Sequence, residues 1–478
     1  MHPIPVTDIT ETPPASRFVD AAAGSATAHP IVERVLARLR PWLPWVHVFM
    51  FLVFLAVLVV PVYLPESSEQ ATFLDDGRVL ANYLLWGVWF PLVFFSVVIT
   101  GRSWCGFLCP MGAASELANR YGLKMQAPAW IRWPGTPILS FIIITLLGQT
   151  TGVRDHPEAA LEIFGGTFAL AVVVGWLWGH NKRVWCRHLC PIGLLLGVFS
   201  RLGAVQLSPR KWKTGPDELT DKTICPTYID LPRKRATRHC IECLRCILPG
   251  RTAGLVVSFR RPGQELESIR DHAPDAWEIL FIFLGAGVAL GGFLWLMLSF
   301  YNDWRQVIGT WFIERGQYWI GEPGPSWLMS VHPDRREVFR WLDFFLITGT
   351  MMTVMALSAL VLSVASLASA GLARLQGSTA SLFQAFVQIG YSQAPVALMA
   401  LMIGLATELF TPFIRLGMTT AQVDDVKVAM ILFGWLWSIW LAWRILEGLG
   451  VDRDRWLALM PSAAGSSAMA AAWWLAVL

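Results

Sequence analysis

One stretch of 21 residues occurs twice in this chain and constrains its fold more than any other feature. Residues 102–122 and 183–203 match at a constant offset of 81, and each copy contains a Cys-x-x-x-Cys-Pro motif directly after a long apolar run. Such a repeat indicates a duplicated structural unit. The identical pairs are Arg102/Arg183, Trp104/Trp185, Cys105/Cys186, Leu108/Leu189, Cys109/Cys190, Pro110/Pro191, Gly112/Gly193, Arg120/Arg201 and Gly122/Gly203.

The apolar runs predict an all-α polytopic membrane protein. Hydrophobic residues make up 55% of the chain and charged residues only 15%, and runs of about 18 residues or more are long enough to cross a bilayer as helices. We expect about eight or nine transmembrane helices with a small cytoplasmic ferredoxin-like insert. The predicted spans are 45–64, 80–100, 136–153, 161–180, 277–300, 340–368, 394–414 and 426–447, with 456–478 as a ninth span or an interfacial helix.

These spans divide the chain into four parts. Residues 1–44 are expected to form a flexible cytoplasmic tail, and 45–204 the duplicated hairpins that each end in a Cys-x-x-x-Cys-Pro motif. Residues 205–275 form a polar, ferredoxin-like segment, and 276–478 a C-terminal transmembrane domain. Residues 379–393 either extend the seventh span or form a re-entrant piece.

The distribution of lysine and arginine predicts the orientation. Connections 65–79 and 151–160 carry one basic residue each, whereas 101–134 carries four and 182–275 carries seventeen. Basic connections remain in the cytoplasm. The N-terminus, both cysteine motifs and the polar segment are therefore expected there, where structural disulfides are disfavoured and metal or redox roles are favoured.

The polar segment contains the ligand pattern of one [4Fe-4S] cluster. Cys240, Cys243 and Cys246 lie two residues apart from one another, and Cys225 precedes a proline. Three thiolates from one tight loop and a remote Cys-Pro form the usual ligand set of such a cluster. Position 250 is Gly250, so the segment has ligands for one cluster and not two. A four-cysteine zinc knuckle is the alternative.

The duplicated motifs supply four further candidate ligands: Cys105, Cys109, Cys186 and Cys190. A spacing of four places both thiols of a motif on one face if the turn is helical. The two hairpins would then bring both pairs into one four-thiolate site. That site could hold a second cluster, Cu(I) or a reversible dithiol pair, or the cysteines could simply pack at a helix turn.

These motifs resemble those of a known family. Arg-x-Trp-Cys-Gly-x-x-Cys-Pro and its second copy are similar to the paired motifs of NosR/NapH-type membrane iron–sulfur proteins. Cys-Pro-Thr-Tyr-Ile-Asp followed by Cys-Ile-Glu-Cys-Leu-Arg-Cys is similar to the ferredoxin portion of the related CcoG (FixG/RdxA-type) proteins. The chain departs from that family in lacking a flavin-binding domain before its spans and in adding about four spans after residue 276.

The resemblance implies electron transfer in the bacterial inner membrane. The chain would pass electrons between a quinol pool or cytoplasmic donor and a membrane-bound or periplasmic redox partner, as an oxidoreductase or an electron-transfer component. The alternative is a copper-handling or metalloenzyme-assembly factor that uses the paired cysteines, and a third reading is a transporter-like body gated by a redox module. The basic run that includes Arg233 and Arg238 is expected to face anionic lipid or a cluster, and no nucleic acid is expected as a partner.

A few isolated residues carry weaker predictions. His47 and His180 fall near cytoplasmic ends of spans and could ligate haem, although histidines at an interface are commoner. His188 and His239, next to cysteines, could tune a cluster through hydrogen bonds. Glu408 is costly in lipid and is either functional, for example in quinone protonation, or paired with Arg415 near the outer surface.

Overall fold

The computed structural model describes residues 30–68, 70–209, 224–247, 255–297, 300–335, 337–405, 407–452 and 454–477. The first half contains helices α1 (Pro30–Leu39), α2 (Leu43–Tyr63), α3 (Gly77–Asn82), α4 (Phe90–Thr100), α5 (Ser103–Phe107), α6 (Pro110–Tyr121), α7 (Ala129–Arg132), α8 (Thr136–Thr150), α9 (Pro157–Ala160), α10 (Gly166–Leu177) and α11 (Pro191–Phe199). Short π-type turns at Tyr83–Trp89 and Leu161–Gly165 join α3 to α4 and α9 to α10, and another covers Trp185–Leu189.

The second half adds one small sheet and the C-terminal helices. Strands β1 (Val205–Pro209) and β2 (Leu255–Phe259) pair antiparallel, and the short β3 (Val331–His332) pairs with β4 (Glu337–Val338). The helices are α12 (Gln264–Glu267), α13 (Ala276–Met297), α14 (Phe300–Glu314), α15 (Trp341–Leu375), α16 (Leu382–Gly390), α17 (Ala394–Leu405), α18 (Thr411–Arg415), α19 (Thr420–Gly448) and α20 (Arg455–Val477).

The all-α polytopic class is confirmed. Among the described residues, seven helices are long and apolar enough to span a membrane: Ile31–Tyr63, Gly77–Thr100, Pro157–Leu177, Ala276–Met297, Trp341–Leu375, Leu382–Leu405 and Thr420–Gly448. The predicted third span is shorter than expected, since α8 has 15 residues and rises only about 22 Å. The predicted ninth span, α20, has 23 residues but is not among the seven.

Two local expectations change. Residues 30–44, expected to belong to the flexible tail, are helical, because Val32 and Leu36 lie on one face of α1 and pack against the polar segment; the rest of the tail, residues 1–29, lies outside the described residues. Residues 382–393 extend the seventh span, which is almost entirely buried in the protein. The span ends at Leu405, so Glu408 lies beyond it, where its carboxylate accepts a hydrogen bond from Thr411 Oγ1 at 2.9 Å.

The C-terminal helices pack closely because small residues let their backbones approach. Gly287 and Gly291 of α13 face α15, and a Cβ added at either would lie 2.8 Å from the Cα of Met355 or Met351. This Gly-x-x-x-Gly pair is the arrangement expected for close helix packing in membranes. Helix α15 in turn packs on α16 and α20.

The two connections with few basic residues, 65–79 and 151–160, contact the 331–338 segment. The imidazole rings of His156 and His332 stack with centroids 3.7 Å apart. Ion pairs join the same connections: Arg78 to Glu158 at 2.8 Å, Arg335 to Glu66 at 2.9 Å and His156 to Glu337 at 3.0 Å. The 65–79, 151–160 and 331–338 segments therefore lie together at one end.

A buried ion network ties the second repeat to the C-terminal domain. The Arg201 side chain is about 1% exposed and pairs with Glu265 at 3.0 Å and Glu278 at 2.8 Å, both fully buried. It also donates to the carbonyl oxygens of His272 and Ala273 at 2.8 and 3.2 Å. Its repeat counterpart, Arg120, is exposed. The duplicated arginine therefore has a structural role in the second copy.

This asymmetry gives a matched pair of variants. Arg201→Gln would remove the cation that Glu265 and Glu278 share, so that each buried carboxylate would keep one arginine only, Arg260 or Arg238. Breaking a buried ion pair typically costs about 3–5 kcal/mol. Arg120→Gln, at the same position of the first copy, should change the free energy of unfolding by less than about 0.5 kcal/mol. Denaturant unfolding of the detergent-solubilised protein measures both. Equal effects of the two substitutions would contradict the proposed role of Arg201.

Candidate metal centres

The two Cys-x-x-x-Cys-Pro motifs end in the same way. The N–H of Cys109 donates to the Trp104 carbonyl at 3.0 Å, and that of Cys190 donates to the Trp185 carbonyl at 2.9 Å. Both second cysteines are extended and precede a helix that begins at the following proline, where the missing N–H of proline is tolerated. The turns before them differ, because the first motif lies on the short helix α5 and the second on a π-type turn.

The repeats pack reciprocally, each against the span that precedes the other motif. After the first motif, the Leu123 N–H donates to the Trp176 carbonyl of α10 at 2.7 Å; after the second, the Ala204 N–H donates to the Val98 carbonyl of α4 at 3.0 Å. Leu123 and Ala204 are equivalent positions in the two copies.

The repeated glycines make this close approach possible. A Cβ at Gly122 would lie 2.0 Å from the Trp176 carbonyl oxygen, and one at Gly203 would lie 2.8 Å from the Val97 carbonyl oxygen. Together with the reciprocal hydrogen bonds, these contacts place the two motif turns side by side with approximate two-fold symmetry.

All four thiols of the paired motifs come together. A Cβ added at Gly112 of the first copy would lie 3.1 Å from Cys186 Sγ of the second. Burial raises the pKa of Cys109 to about 12, and repulsion from Cys105 and Cys186 adds to that shift. Burial also raises the pKa of Cys190, with further repulsion from Cys186, Cys109 and Cys105. Such thiols lose their protons only beside a positive charge, and a bound metal supplies that charge.

The duplicated arginines contact the first cysteine of each motif and were not identified from the sequence as functional. Both are buried, at 2% exposure. Arg102 Nη2 lies 3.8 Å from Cys105 Sγ, and Arg183 makes a side-chain hydrogen bond with Cys186. Arg183 also pairs with Glu116 at 2.7 Å. These cations favour thiolate, or a metal centre with net negative charge, at the paired site.

The four cysteines of the polar segment converge on a second, separate site. Cys225, Cys240, Cys243 and Cys246 line one small cavity. Apolar side chains around these thiols, including Leu207, Leu231 and Leu255, form a compact core. The strand pair β1–β2 closes one side, because the Leu255 N–H donates to the Cys246 carbonyl at 3.1 Å.

Strained backbone conformations turn the sulfurs inward. Glu242 and Leu244, each between two of the cysteines, have φ values of 55° and 62°, and Tyr228, after Cys225, has a φ of 62°. Residues with a side chain rarely adopt these left-handed conformations, and each costs about 1–2 kcal/mol. Strain of this kind is typical of ligand-holding loops.

Burial also opposes ionisation of three thiols of this site. Burial raises the pKa of Cys240 to about 12 and raises those of Cys243 and Cys246. The ammonium group of Lys182 donates to the Cys225 carbonyl at 2.7 Å, and that of Lys234 donates to the Leu207 carbonyl. Both cations lie near the site, where they stabilise negative charge.

Each of the two cysteine sets offers four thiols, which is the number that one [4Fe-4S] cluster needs. Among the described residues, no group of three or more His, Cys, Asp or Glu side chains is arranged to hold a metal ion.

The two cysteine sites touch through their backbones. Gly106 follows Cys105, and a Cβ at this glycine would lie 2.1 Å from the Ile241 carbonyl oxygen and 2.9 Å from the Cys243 nitrogen. His47 Nε2 donates to the Gly106 carbonyl at 3.1 Å and holds the first motif from the α2 side. One ligand loop of each site thus forms part of the wall of the other.

The four histidines singled out in the sequence lie in different surroundings. His180 is exposed, and His47 Nε2 donates to the Gly106 carbonyl. His188 and His239 line a cavity next to Cys186 and Cys190. This cavity was not predicted, because its walls come from five separate segments of the chain.

Comparisons with known proteins match two parts of the chain. The 4Fe-4S binding domain matches residues 83–132 and 161–215, which contain the two Cys-x-x-x-Cys-Pro motifs, and the Yip1 domain matches 256–475. No solved structure matches the chain.

Curated relatives match about two fifths of the chain. The ferredoxin-type protein NapH of Escherichia coli is 25% identical over 216 residues, 39% of this chain and 71% of NapH. YccM of Escherichia coli is 28% identical over 234 residues, 42% of this chain and 63% of YccM. The regulatory protein NosR of Pseudomonas aeruginosa is 25% identical over 203 residues, 38% of this chain and 27% of NosR. The chain thus spans less than two thirds of YccM and about a quarter of NosR.

A polytopic helical bundle, converging cysteines and a match to a 4Fe-4S binding domain are the features of a membrane iron–sulfur protein. The relatives support a NosR/NapH-type membrane ferredoxin family and confirm the resemblance seen in the motifs.

Proposed function

We propose that this chain is a multi-pass electron-transfer protein of the bacterial inner membrane that carries two [4Fe-4S] clusters side by side. Cys225, Cys240, Cys243 and Cys246 would hold one cluster, and the four cysteines of the paired motifs would hold the other. The observation that carries this proposal is the backbone contact of Gly106 with the Ile241–Cys243 loop, which makes the two ligand sets neighbours.

The bound clusters would supply one-electron redox chemistry, and the protein residues provide the environment for it. The reciprocal packing of α6 on α10 and of α11 on α4 fixes the paired thiols in position. Arg102 and Arg183 offset negative charge at the paired site, and apolar walls exclude water from the polar-segment site. The nearby guanidinium groups would stabilise the reduced, more negative state, whereas the apolar walls would oppose it, so the two effects together would set the reduction potential.

The proposal includes the orientation of the chain in the membrane and its redox partners. The excess of basic residues on the cysteine side supports a cytoplasmic location for that side and for the N-terminus. Electrons would enter from a quinol or a cytoplasmic donor and leave to a redox partner in or beyond the membrane. The alternative, copper handling at the paired cysteines, has less support because the 4Fe-4S binding domain covers both motifs.

Metal analysis of anaerobically purified protein tests the proposal. Two clusters should give about eight irons and about eight acid-labile sulfides per chain, since each cube contains four of each. One cluster would give about four, and would refute the second site. Stoichiometric copper without sulfide at the paired motifs would support the assembly role instead.

A further inference from the structure

The two-fold symmetry of the repeat also breaks between the cysteines of each motif. Where the first motif has Gly106 and Phe107 between its cysteines, the second has Arg187 and His188. Gly106 is covered by the backbone of the polar segment, which leaves no room for a side chain. The equivalent face of the second motif meets a cavity instead. The paired site therefore has one face closed by the polar segment and one face that is open.

This cavity has a volume of about 150 Å³, roughly five times the share of one water molecule in the liquid. Cys186 and Cys190 line it, but Cys105 and Cys109 do not, so it extends away from the centre of the paired site. Arg132 and Trp133 line the cavity and are exposed, so the cavity is open to solvent at this edge.

The walls of the cavity combine strong positive charge with a flat apolar surface. Four guanidinium groups and one carboxylate line it: Arg102, Arg132, Arg187, Arg238 and Asp275. The indole of Trp133 and the rings of Pro134 and Pro137 form the apolar part. Such a mixture of apolar walls and a few convergent polar groups is typical of a small-molecule site.

The charges of these arginines are not fully matched by protein groups. Arg238 uses the carboxylate, since it pairs with Asp275 and, at 2.9 Å, with Glu278. Arg187 has no carboxylate within ion-pair distance among the described residues. The Nε of Arg102, a residue only 2% exposed, is buried without a hydrogen-bond partner. Buried donors without acceptors are costly, so this arrangement is expected to have an anionic occupant.

We propose that this cavity binds a small organic anion, whose carboxylate or similar oxygen pair meets Arg187 and Arg102 and whose flat part lies against Trp133. A guanidinium group matches such an oxygen pair with two parallel hydrogen bonds. The ligand would then contact the second motif on the face opposite the polar segment. Binding itself does not depend on which metal the paired site holds.

The competing explanation is that the arginines only offset the charge of the paired centre. Arg102 and Arg183 already do so, through their contacts with Cys105 and Cys186. Arg132 lies at the exposed edge of the cavity, where solvent would screen its effect on a buried centre. A role limited to charge balance also gives no reason for the adjoining apolar wall.

Calorimetric titration of the purified full-length protein tests the proposal, with benzoate as the probe and benzamide as its neutral analogue of the same shape. Benzoate should bind saturably with one site per chain, and benzamide at least tenfold more weakly. Arg187→Gln should weaken benzoate binding at least tenfold. Arg132→Gln, at the exposed edge and therefore compatible with folding, should weaken it several-fold. The matched control Arg261→Gln, an exposed arginine on the polar segment, should leave it unchanged.

Three results would overturn the assignment. The first is equal binding of benzoate and benzamide, which would show that charge is not recognised. The second is undiminished benzoate binding by both Arg187→Gln and Arg132→Gln. The third is the absence of benzoate binding to wild-type protein with full iron content. That result would mean that the arginines only offset the charge of the paired centre.

Discussion

Replacing Cys243 with serine should remove about half of the iron from the purified protein, from about eight atoms per chain to about four. Cys243 lies in the middle of the loop that supplies three of the four thiols of the polar-segment site. A serine hydroxyl in this position is a poor ligand for iron, and the remaining cysteines cannot close the cube. The paired site should keep its iron, because none of its ligands has changed.

The measurement combines iron and sulfide analysis with electron paramagnetic resonance of the dithionite-reduced protein. Ile241→Val is the matched control, since it alters a buried side chain in the same loop without removing a thiol. It should keep full iron content and both reducible signals. Wild-type protein that contains zinc but no iron would refute the cluster assignment, as would a Cys243→Ser variant with unchanged iron and an unchanged signal.

The repeat made the overall arrangement predictable. An offset of 81 that preserves both cysteines, the proline and two glycines implies two equivalent units, and the structure packs these units reciprocally through Gly122 and Gly203. The span positions were also predictable, because lipid requires long apolar helices. The exact ends were less so: α8 is shorter than its apolar run suggests, and α16 belongs to the same long helical stretch as α17.

The arrangement around the cysteines could not be read from the sequence. Nothing in the motif distinguishes Arg120 from Arg201, yet only the second is buried in an ion network. Gly106 contacts the polar segment at positions more than 130 residues further along the chain, and no local sequence pattern indicates this contact. The cavity near Arg187 depends on the same long-range packing. Local propensity identifies turns and spans, whereas contacts between distant segments depend on the whole fold.

Replacing Cys105 or Cys186 with serine should cause the same loss, about four of about eight irons, if the two motifs form one site. The geometry supports one site: Gly112 of the first motif lies against Cys186 Sγ of the second, and Cys190 lies near the thiols of both motifs. A cube needs four ligands, so removing one cysteine from either motif should empty the same centre. The Cys105→Ser/Cys186→Ser double variant should therefore lose no more iron than either single variant.

A second double variant provides the internal control. Cys105→Ser combined with Cys243→Ser removes one ligand from each proposed site, and the two losses should add to leave almost no iron. Residues of one unit give non-additive effects, whereas independent sites give additive ones. Additive losses from Cys105→Ser and Cys186→Ser would instead mean that each motif binds metal separately. Unchanged iron in both single variants would assign these four cysteines to packing, and would leave Arg102 and Arg183 buried beside thiols with no bound metal centre to stabilise.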